Sequence, residues 1–341
     1  YMRSAANVSP EYPVLVDKYV FGKEIEVDAI SDGEDVFIPG IMEHIERAGV
    51  HSGDSIAVYP PQGLSPATEE KIVAYTVELA RALRVKGLIN IQFVVAPNGQ
   101  PYVLEANPRA SRTVPYLSKI TGIPMIRLAT QAILGKRLRD LGYTTGLKRR
   151  GPYVGVKVPV FSFAKLLDVD VSLGPEMKST GEVMGVDTDF AAALYKGCVA
   201  AGYSFPEEGT VLVTVSDRDK EETLPLVREL VSLGFKILAT SGTARVLRGN
   251  GIPVETVRKL HEGSPNIVDL LREGKIHLVL NTLTRGKMPE REGFRIRRTA
   301  VELGVPCITS LDTMRVITRQ CCTNAPAPLR FESVQRLAPD Q

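Results

Sequence analysis

The stretch 88–119, LINIQFVVAPNGQPYVLEANPRASRTVPYLSK, decides how the first part of this chain folds. Two apolar runs flank an Asn-Gly pair, which is the strongest short signal for a β-hairpin because both turn residues take positive φ. If the pair forms the loop, Gln92 lies opposite Glu105 and Asn90 lies opposite Asn107. Side chains alternate between the faces of a strand, so these four polar residues share one face. The other face, expected in the core, carries Ile91, Phe93, Val95, Tyr102, Leu104 and Ala106.

The polar face of this hairpin is a cluster of oxygen donors, and Arg109 and Arg112 follow it at once. Mg²⁺ and Mn²⁺ take oxygen ligands, and Mg²⁺ usually binds one or two carboxylates together with phosphates and water. The planar fork of arginine matches phosphate. The set therefore suits a nucleotide triphosphate held through divalent cations, although by strand pattern alone a solvated hairpin face is the simpler interpretation.

The segment Glu105–Pro115, E-A-N-P-R-A-S-R-T-V-P, resembles the E-x-N-P-R segment of ATP-grasp ligases. Its extension to Lys119 resembles one family among them, the large subunit of carbamoyl-phosphate synthetase, and this resemblance covers almost the whole chain. It implies that Gln92, Glu105 and Asn107 hold the metal ions. It also implies that Arg112 contacts the transferring phosphoryl group and that Arg109 orients the segment.

Two strands and a turn are expected before the hairpin. Residues 14–20, VLVDKYV, read as a strand, and 24–30 alternates acidic and apolar residues, which predicts a half-buried strand with a solvated acidic face. Asp32-Gly33 predicts the turn of a second hairpin. Residues 40–55 are dense in Gly, His, Ser and Asp with little periodicity, so they are expected to form a loop or two short turns.

The resemblance assigns nucleotide contacts to these early segments. It implies that the backbone near Lys18 and Val20 holds adenine and that Glu24 binds the ribose hydroxyls. Segment 40–55 resembles the G-I-M-E-H-I-E-x-A-G-V-H-S-G-D-S segment of the synthetase. The implied ATP-binding residues are Lys18, Val20, Glu24, Gly49, Val50, His51, Ser52, Gln92 and Glu105.

Helices and one strand are expected around and after the hairpin. Ser65-Pro66 predicts a helix start, because Ser is a good N-cap and Pro suits the first turn, and Gly87 is expected to stop that helix. A further helix is expected over roughly 122–138, and 154–163, VGVKVPVFSF, reads as a strand.

From residue 211 onward, strands alternate with helices, which predicts a doubly wound parallel sheet with right-handed crossovers. Ligands of such sheets bind beyond the carboxyl ends of the strands. Ser241-Gly242-Thr243 opens a helix directly after a strand, and a helix N-terminus favours anions, although such a turn is as often a plain N-cap.

This last unit resembles the methylglyoxal-synthase-like regulatory domain of the synthetase. The resemblance implies a nucleotide effector bound by Lys220, Thr240, Thr243, Lys259 and Asn281. Leu283 stands where other members have a contacting threonine, which Thr284 could replace. The resemblance further implies that an ornithine-like activator binds to Glu46, Asp54, Glu176 and Thr313.

Composition is that of a globular chain, with 44% apolar and 24% charged residues among 341. The net charge of +3 is too small to indicate a nucleic-acid or membrane surface, and no apolar run approaches the ~20 residues that span a bilayer. The four cysteines form neither a C-x-x-C motif nor a disulfide framework, which favours reduced thiols in the cytoplasm.

The expected fold class is α/β and α+β: a partial ATP-grasp domain with a mostly antiparallel sheet, then a parallel methylglyoxal-synthase-like domain. The expected boundaries are 1–138, a connector over 139–209, and 210–341. The resemblance implies an ATP-dependent synthesis of carbamoyl phosphate, a small glutaminase subunit as partner, a nucleotide effector and a possible homo-oligomer. It places the enzyme in arginine and pyrimidine biosynthesis.

Two alternatives remain open at this point. The chain could be a non-catalytic nucleotide sensor, since it starts after the region that normally covers the triphosphate. Its last unit could instead be a methylglyoxal-synthase-type lyase, for which His261 with Asp217 or Asp219 would supply the acid and base groups.

Overall fold

The computed structural model describes residues 16–163, 169–283 and 292–321, which form two β-sheets flanked by helices. The first sheet contains β1 (Lys23–Ser31), β2 (Val36–Arg47), β3 (Ala57–Tyr59), β4 (Gly87–Val95), β5 (Pro101–Asn107), β6 (Gly146–Leu147), β7 (Val154–Val160) and β8 (Gly181–Asp187). The second contains β9 (Thr210–Thr214), β10 (Lys236–Thr240), β11 (Glu255–Val257), β12 (Leu278–Asn281) and β13 (Cys307–Ile308). The described α-helices are α1 (Pro66–Ala82), α2 (Thr113–Thr121), α3 (Met125–Ile133), α4 (Phe190–Ala200), α5 (Lys220–Ser232), α6 (Ser241–Gly249), α7 (Ile267–Arg272), α8 (Glu292–Glu302) and α9 (Leu311–Cys321).

The first sheet runs in the order β5-β4-β1-β2-β3-β7-β8, with antiparallel neighbours throughout this path and β6 parallel to β2. Strand β1 lies near its centre and is covered on both faces. Ile25 and Val27 pack into the core beneath α1, while Ile30 packs into the core formed with α2 and α3. Since side chains alternate, the acidic residues of β1 lie on the α2–α3 face.

The hairpin of β4 and β5 is confirmed, but its loop has three residues instead of two. Ala96 pairs with Gln100, and Gly99 closes the turn with φ of 77°, the left-handed conformation of a three-residue hairpin loop. An extra residue, Leu104, then bulges out of β5 and restores the register, so that Gln92 pairs with Glu105 as predicted.

The predicted core face of β5 is wrong. Tyr102 and Leu104 are 47% and 52% exposed, whereas Ile91 and Phe93 on β4 are fully buried. The reason is position in the sheet, because β5 is an edge strand with a described neighbour, β4, on one side only.

The predicted loop at 40–55 is also wrong in its first half, since β2 continues to Arg47. Its polar residues are buried and satisfied by distant partners: Glu43 accepts hydrogen bonds from Lys23 and from the backbone of Gln62 and Gly63. Because both faces of β2 carry polar groups with partners, the strand has no apolar periodicity to read. Only Ser52–Asp54 forms a short 3₁₀ turn.

The remaining local predictions differ from the structure mainly at boundaries. Ser65 caps α1 as expected, but the helix ends at Ala82, and Gly87 begins β4 instead. The helix expected over 122–138 is α3, and α2 before it was missed. Residues 16–21 form no strand, so the predicted strand 14–20 is wrong in its described part.

The second sheet is entirely parallel, in the order β11-β10-β9-β12-β13, as predicted. One apolar core joins it to the first unit: Val158 of β7, Leu194 of α4 and Leu230 of α5 belong to the same cluster. The predicted fold class is thus confirmed. None of the described helices is both long enough and apolar enough to cross a membrane.

Candidate functional site

The three acids of β1 form a buried row, contrary to the solvated face that alternation indicated. Glu24 and Glu26 are each 3% exposed and Asp28 is fully buried. In the register of the sheet, Glu26 lies opposite Gln92 of β4, and Asp28 lies opposite Asn90. The Asn90 amide donates to both Glu26 and Asp28, at 2.8 and 3.1 Å. The oxygen cluster predicted on the hairpin therefore continues onto a third strand.

These buried carboxyl groups have divergent proton affinities. Burial and the neighbouring charge of Glu26 raise the pKa of Asp28 to about 7. Burial alone would raise the pKa of Glu26 too, but His44, Lys157 and Asn90 lower it to about 2. His44 belongs to the neighbouring strand β2, and its Nε2 lies 3.1 Å from the Glu26 carboxylate. The proton affinity of Asp28 is therefore higher than that of Glu26.

The arginine-bearing loop is attached to this row by two hydroxyl groups. Ser111 and Thr113 both donate to Asp28 Oδ2, the first at 2.8 Å. Arg112 lies between them, at the N-cap position directly before α2. Its Nη1 donates to Ser179 Oγ at 2.9 Å, whereas the Arg109 side chain is exposed and contacts only the carbonyl of Ala110 among described partners.

A pocket of about 280 Å³ opens above the row. It is lined by Glu26, His51, Ser52, Gly53, Asn90, Gln92, Arg109, Ser111, Arg112, Thr113, Lys157 and Met177. Five residues chosen from the sequence, His51, Ser52, Gln92, Arg109 and Arg112, are therefore brought together. Gln92 also donates to Ser52 Oγ at 3.2 Å.

Lys157 is a member of this pocket that sequence reasoning missed. It is 1% exposed and donates to the Ser52 carbonyl at 2.9 Å, beside Glu24, Glu26 and Glu182. A lysine in the middle of the apolar strand VGVKVPV was the available signal, because a buried cation requires an anionic partner or ligand.

Glu105 and Asn107 lie at the outer strand, where the Asn107 amide donates to Glu105 Oε1 at 2.8 Å. Glu105 is exposed, so its second oxygen is accessible, and Gln92 is its cross-strand neighbour. One accessible carboxylate with adjacent amides fits Mg²⁺, which takes one or two carboxylates and completes its shell with phosphates. Among the described residues, no three His, Cys, Asp or Glu side chains converge as a separate metal centre.

The residues implied to hold adenine lie in an irregular segment next to the loop at 48–52. Lys18 is exposed, and Val20 is half-buried. Between them, the Tyr19 hydroxyl donates to the Ala48 carbonyl at 2.9 Å, which places this segment beside Gly49. Gly49 has φ of 112°, a conformation that glycine adopts freely.

The strand ends of the second sheet bring several of the predicted effector residues together. Lys220 Nζ lies beside Gly242 at the start of α6, 3.5 Å from the position that a Cβ atom on this glycine would occupy. Lys220 also forms an ion pair with Asp217 at 2.6 Å. Thr240 precedes α6, and Thr243 is buried in its first turn. Lys259 is near enough to help lower the pKa of Asp217, after Lys220.

Asn281 differs from these residues because its side chain is already occupied. It is 3% exposed, donates to Thr214 Oγ1 at 2.7 Å and accepts from Arg297 at 2.6 Å. Leu283 is half-buried beyond the strand end, while Thr284 lies outside the described residues.

Two family models match separate parts of the chain. Residues 2–141 match the model described as "Carbamoyl-phosphate synthase L chain, ATP binding domain". Residues 222–309 match the model described as "MGS-like domain". The chain combines an ATP-grasp domain with an MGS-like domain.

Solved structures match part of this chain at low identity. One is the biotin carboxylase domain of a single-chain bacterial carboxylase, with 17% identity over 56% of this chain and 49% of that one and a TM-score of 0.43. Another is biotin carboxylase from Campylobacter jejuni, with 18% identity, 47% and 33% coverage and a TM-score of 0.36. A third is the biotin carboxylase domain of Hydrogenobacter thermophilus 2-oxoglutarate carboxylase with MgADP and bicarbonate, with 17% identity, 49% and 40% coverage and a TM-score of 0.37. This chain spans about half the length of these proteins, or less.

The residues implied to bind an ornithine-like activator lie between the two domains. Glu46, Asp54 and Thr313 line one pocket of about 280 Å³, whose walls are mostly apolar. Thr313 Oγ1 donates to Glu46 Oε1 at 2.7 Å, and the Ile56 backbone donates to Oε2. Asp54 accepts from the backbone of Lys178 and Ser179. Glu176 is exposed and does not line this pocket, so the structure does not assemble all four residues.

The groups considered for a lyase reaction are engaged in local contacts. Asp217 pairs with Lys220, Asp219 accepts from Ser216 Oγ, and His261 Nδ1 lies 2.5 Å from Glu292. Among the described residues, no hydrogen bond or ion pair joins the histidine to the two acids.

Proposed function

We propose that this chain is the C-terminal part of the large chain of a glutamine-dependent carbamoyl-phosphate synthetase. Its ATP-grasp domain phosphorylates carbamate with ATP, giving carbamoyl phosphate and ADP. The observation that carries the proposal is the single pocket lined by His51, Ser52, Gln92, Arg109 and Arg112. The match of residues 2–141 to the ATP-binding domain of this synthetase class supports it.

The reaction requires positioned charge and no nucleophilic side chain. A carbamate oxygen attacks the γ-phosphorus of ATP, the bond from that phosphorus to the bridging oxygen breaks, and ADP leaves with the electron pair. Arg112 contacts the transferring phosphoryl group and offsets the charge that develops on its oxygens. Arg109 orients the loop, and the His51–Ser52 turn binds the nucleotide.

The residues that would hold the metal are Gln92, Glu105 and Asn107. A bound Mg²⁺ or Mn²⁺ supplies Lewis-acid polarisation of the phosphate oxygens. The Asn107–Glu105 hydrogen bond holds the carboxylate in one orientation, and Lys157 donates to the Ser52 carbonyl in the pocket wall.

The test uses the reverse half-reaction with the natural full-length polypeptide. Carbamoyl phosphate and MgADP are expected to yield ATP, measured by luciferase, and Arg112→Ala should lower the rate at least a hundredfold. Arg127→Ala, an exposed arginine on α3, is the matched control and should leave the rate unchanged. MgATP binding without any ATP formation would favour the nucleotide sensor instead.

The proposal includes a partner and a pathway context. A small glutaminase subunit supplies ammonia, so glutamine should support synthesis only when that subunit is added, while ammonium salts support it without the partner. The product serves arginine and pyrimidine biosynthesis in the cytoplasm. Analytical ultracentrifugation with and without the subunit tests the association and also reveals a homo-oligomer.

We further infer that the MGS-like domain binds a nucleotide monophosphate and controls the ATP-grasp domain. Ion pairs join the domains: Arg47 of β2 contacts Glu222 at 2.5 Å and Asp312 at 2.6 Å, and Arg315 contacts both acids. An effector that shifts α5 or α9 therefore acts on the strand that carries His44 and Glu46. Calorimetry should show that a monophosphate and MgATP alter each other's affinity by the same factor. If each ligand binds with the same affinity with and without the other, the proposed regulation of the ATP-grasp domain is refuted.

A further inference from the structure

Asp28 has a place in the active site that the proposed reaction does not explain. It is fully buried beneath the pocket and is not among the residues that line it. Its Oδ2 accepts from Ser111 and Thr113, and its Oδ1 accepts from Asn90 at 3.1 Å. Three neutral donors thus converge on one carboxyl group in the sheet.

The two hydroxyl donors flank Arg112 in sequence. Arg112 precedes the first turn of α2 with helical φ and ψ and no side-chain cap. Ser111 Oγ supplies the missing cap by accepting from the Thr113 backbone N–H at 3.2 Å, while the same hydroxyl donates to Asp28. The backbone on both sides of Arg112 is therefore tied to β1.

The far end of the arginine is held separately. Arg112 Nη1 donates to Ser179 Oγ at 2.9 Å, and that hydroxyl in turn donates to the Gly53 carbonyl at 3.0 Å. With its backbone tied to Asp28 and its guanidinium tied to Ser179, Arg112 is restrained at two points. An arginine has many rotamers, so holding it before substrate arrives removes an entropic cost from the reaction.

We propose that Asp28 is a positioning residue that holds Arg112 in the orientation required for contact with the transferring phosphoryl group. It does so through Ser111 and Thr113 and touches no substrate atom. The inference rests on the proposed function, because it assigns the phosphoryl contact to Arg112.

The first variant is Asp28→Asn, which keeps the shape but replaces one acceptor oxygen by an NH₂ group that faces two hydroxyls. In the full-length enzyme, kcat for ATP formation should fall about 30- to 100-fold, since a displacement of about 1 Å at a reacting group costs roughly that much. KM for MgADP should change less than threefold, because the nucleotide contacts are untouched.

Asp32→Asn is the matched control. Asp32 is a buried acid just beyond the end of β1, where it accepts from the backbone of Glu34, Asp35 and Leu138. It should lose stability without losing more than half of kcat. If Asp28→Asn behaves like Asp32→Asn, with lower stability and an unchanged kcat, Asp28 is merely structural and the proposal is overturned.

A second variant removes the donors instead of the acceptor. Ser111→Ala with Thr113→Val should reproduce the fall in kcat, and adding Asp28→Asn should lower it no further, because both changes break the same link. Multiplicative losses would show that the two groups act independently, which also overturns the proposal. This double variant keeps the test valid if Asp28→Asn folds poorly.

One further measurement separates this inference from the proposed function. If the wild type forms no ATP, the proposed function fails, and calorimetry with inorganic pyrophosphate then tests the positioning. Arg112→Ala should abolish pyrophosphate binding, and Asp28→Asn should weaken it about tenfold. Binding that needs Arg112 but not Asp28 overturns the inference, and so does the absence of any pyrophosphate binding by the wild type.

Discussion

The pocket of the ATP-grasp domain and the strand-end site of the MGS-like domain both gather charged side chains, but they hold them differently. In the first, Glu26, Asp28 and Lys157 are at most 3% exposed and hydrogen-bonded to fixed neighbours. In the second, Lys220 pairs with Asp217, whose side chain is 95% exposed. Burial makes each charge in the ATP-grasp pocket costly to leave unpaired, whereas water screens the charges of the other site.

This difference indicates which of the two sites is the more rigid. A buried network of hydrogen-bonded polar groups holds one arrangement, which suits a site that must orient a phosphoryl group. Exposed ion pairs exchange partners easily, which suits a site that must accept and release an effector. We therefore expect substitutions in the ATP-grasp pocket to have large effects on activity, and substitutions at the strand-end site to have small effects on affinity.

The largest effect is expected from Glu105→Gln, which keeps the size of the side chain and removes the charge that attracts the cations. ATP formation from carbamoyl phosphate should fall about a thousandfold, the scale on which removing one stabilising group affects kcat. The fold should remain intact because Glu105 is exposed. Glu70→Gln, an exposed acid on α1, is the control. An active Glu105→Gln enzyme would contradict the assignment of the metal ligands.

Arg297→Met tests whether burial, and not the choice of domain, sets the size of an effect. Arg297 is 5% exposed and binds Asp170 through two hydrogen bonds of 2.8 and 2.6 Å. Its loss should cost about 3 kcal/mol in the free energy of unfolding, since it leaves a partly buried carboxylate unpaired. Urea unfolding measures this. Lys275→Met breaks the exposed pair with Glu273 and should lower the free energy of unfolding by less than about 0.5 kcal/mol. Equal losses in the two variants would contradict the claim that burial sets the size of the effect.

The proton affinity of Asp28 predicts how stability depends on pH. Its pKa rises from 3.8 in the unfolded chain to about 7 in the folded one, so the folded state binds more protons between these values. The free energy of unfolding should therefore decrease as pH rises from about 4 to 7, by at most about 1.4 kcal/mol per pH unit. Glu26, whose pKa is lowered from 4.5 to about 2, acts in the opposite direction and mainly below pH 4.5.

The measurement compares wild type and Asp28→Asn by urea unfolding at pH 5 and pH 7. The wild type should lose more stability than the variant over this interval, because the amide does not titrate. Parallel losses would mean that Asp28 is already ionised at pH 5.

The smallest effect is expected at the strand-end site. Lys259→Ala should weaken binding of a nucleotide monophosphate about tenfold, because a half-buried lysine contributes one screened, charge-assisted contact. Thr243→Ala should add a similar factor. Lys236→Ala removes an exposed lysine at the opposite end of β10 and is the control. Calorimetry in which Lys236→Ala and Lys259→Ala weaken binding equally would place the effector elsewhere.

Sequence reasoning succeeded where the cause is local. The position of the β4–β5 hairpin turn, the Ser65 cap and the alternation of strands and helices after residue 211 each depend on neighbouring residues, and each is present. It failed where a distant partner decides. Strand β2 was taken for a loop because the groups that satisfy Glu43 and Glu46 come from residues 23, 62 and 63 and from Thr313.

The same reason limited the candidate site. Motif resemblance selected His51, Ser52, Gln92 and Arg112, which the fold gathers into one pocket. Lys157 escaped notice because its role depends on lying across the sheet from Ser52, more than a hundred residues away in sequence.

By itself, the sequence of this chain determined the two fold types, the presence of the β4–β5 hairpin, and the residue types that suit phosphate and divalent cations. Only the tertiary structure decided that the acids of β1 are buried, that β5 is an exposed edge, and that Asp28 reaches the loop of Arg112. Turn geometry and helix capping depend on a few neighbouring residues, so the local sequence determines them. Burial and the pairing of charges depend on which strands and helices come to cover a side chain, and that is settled only when the whole chain has packed.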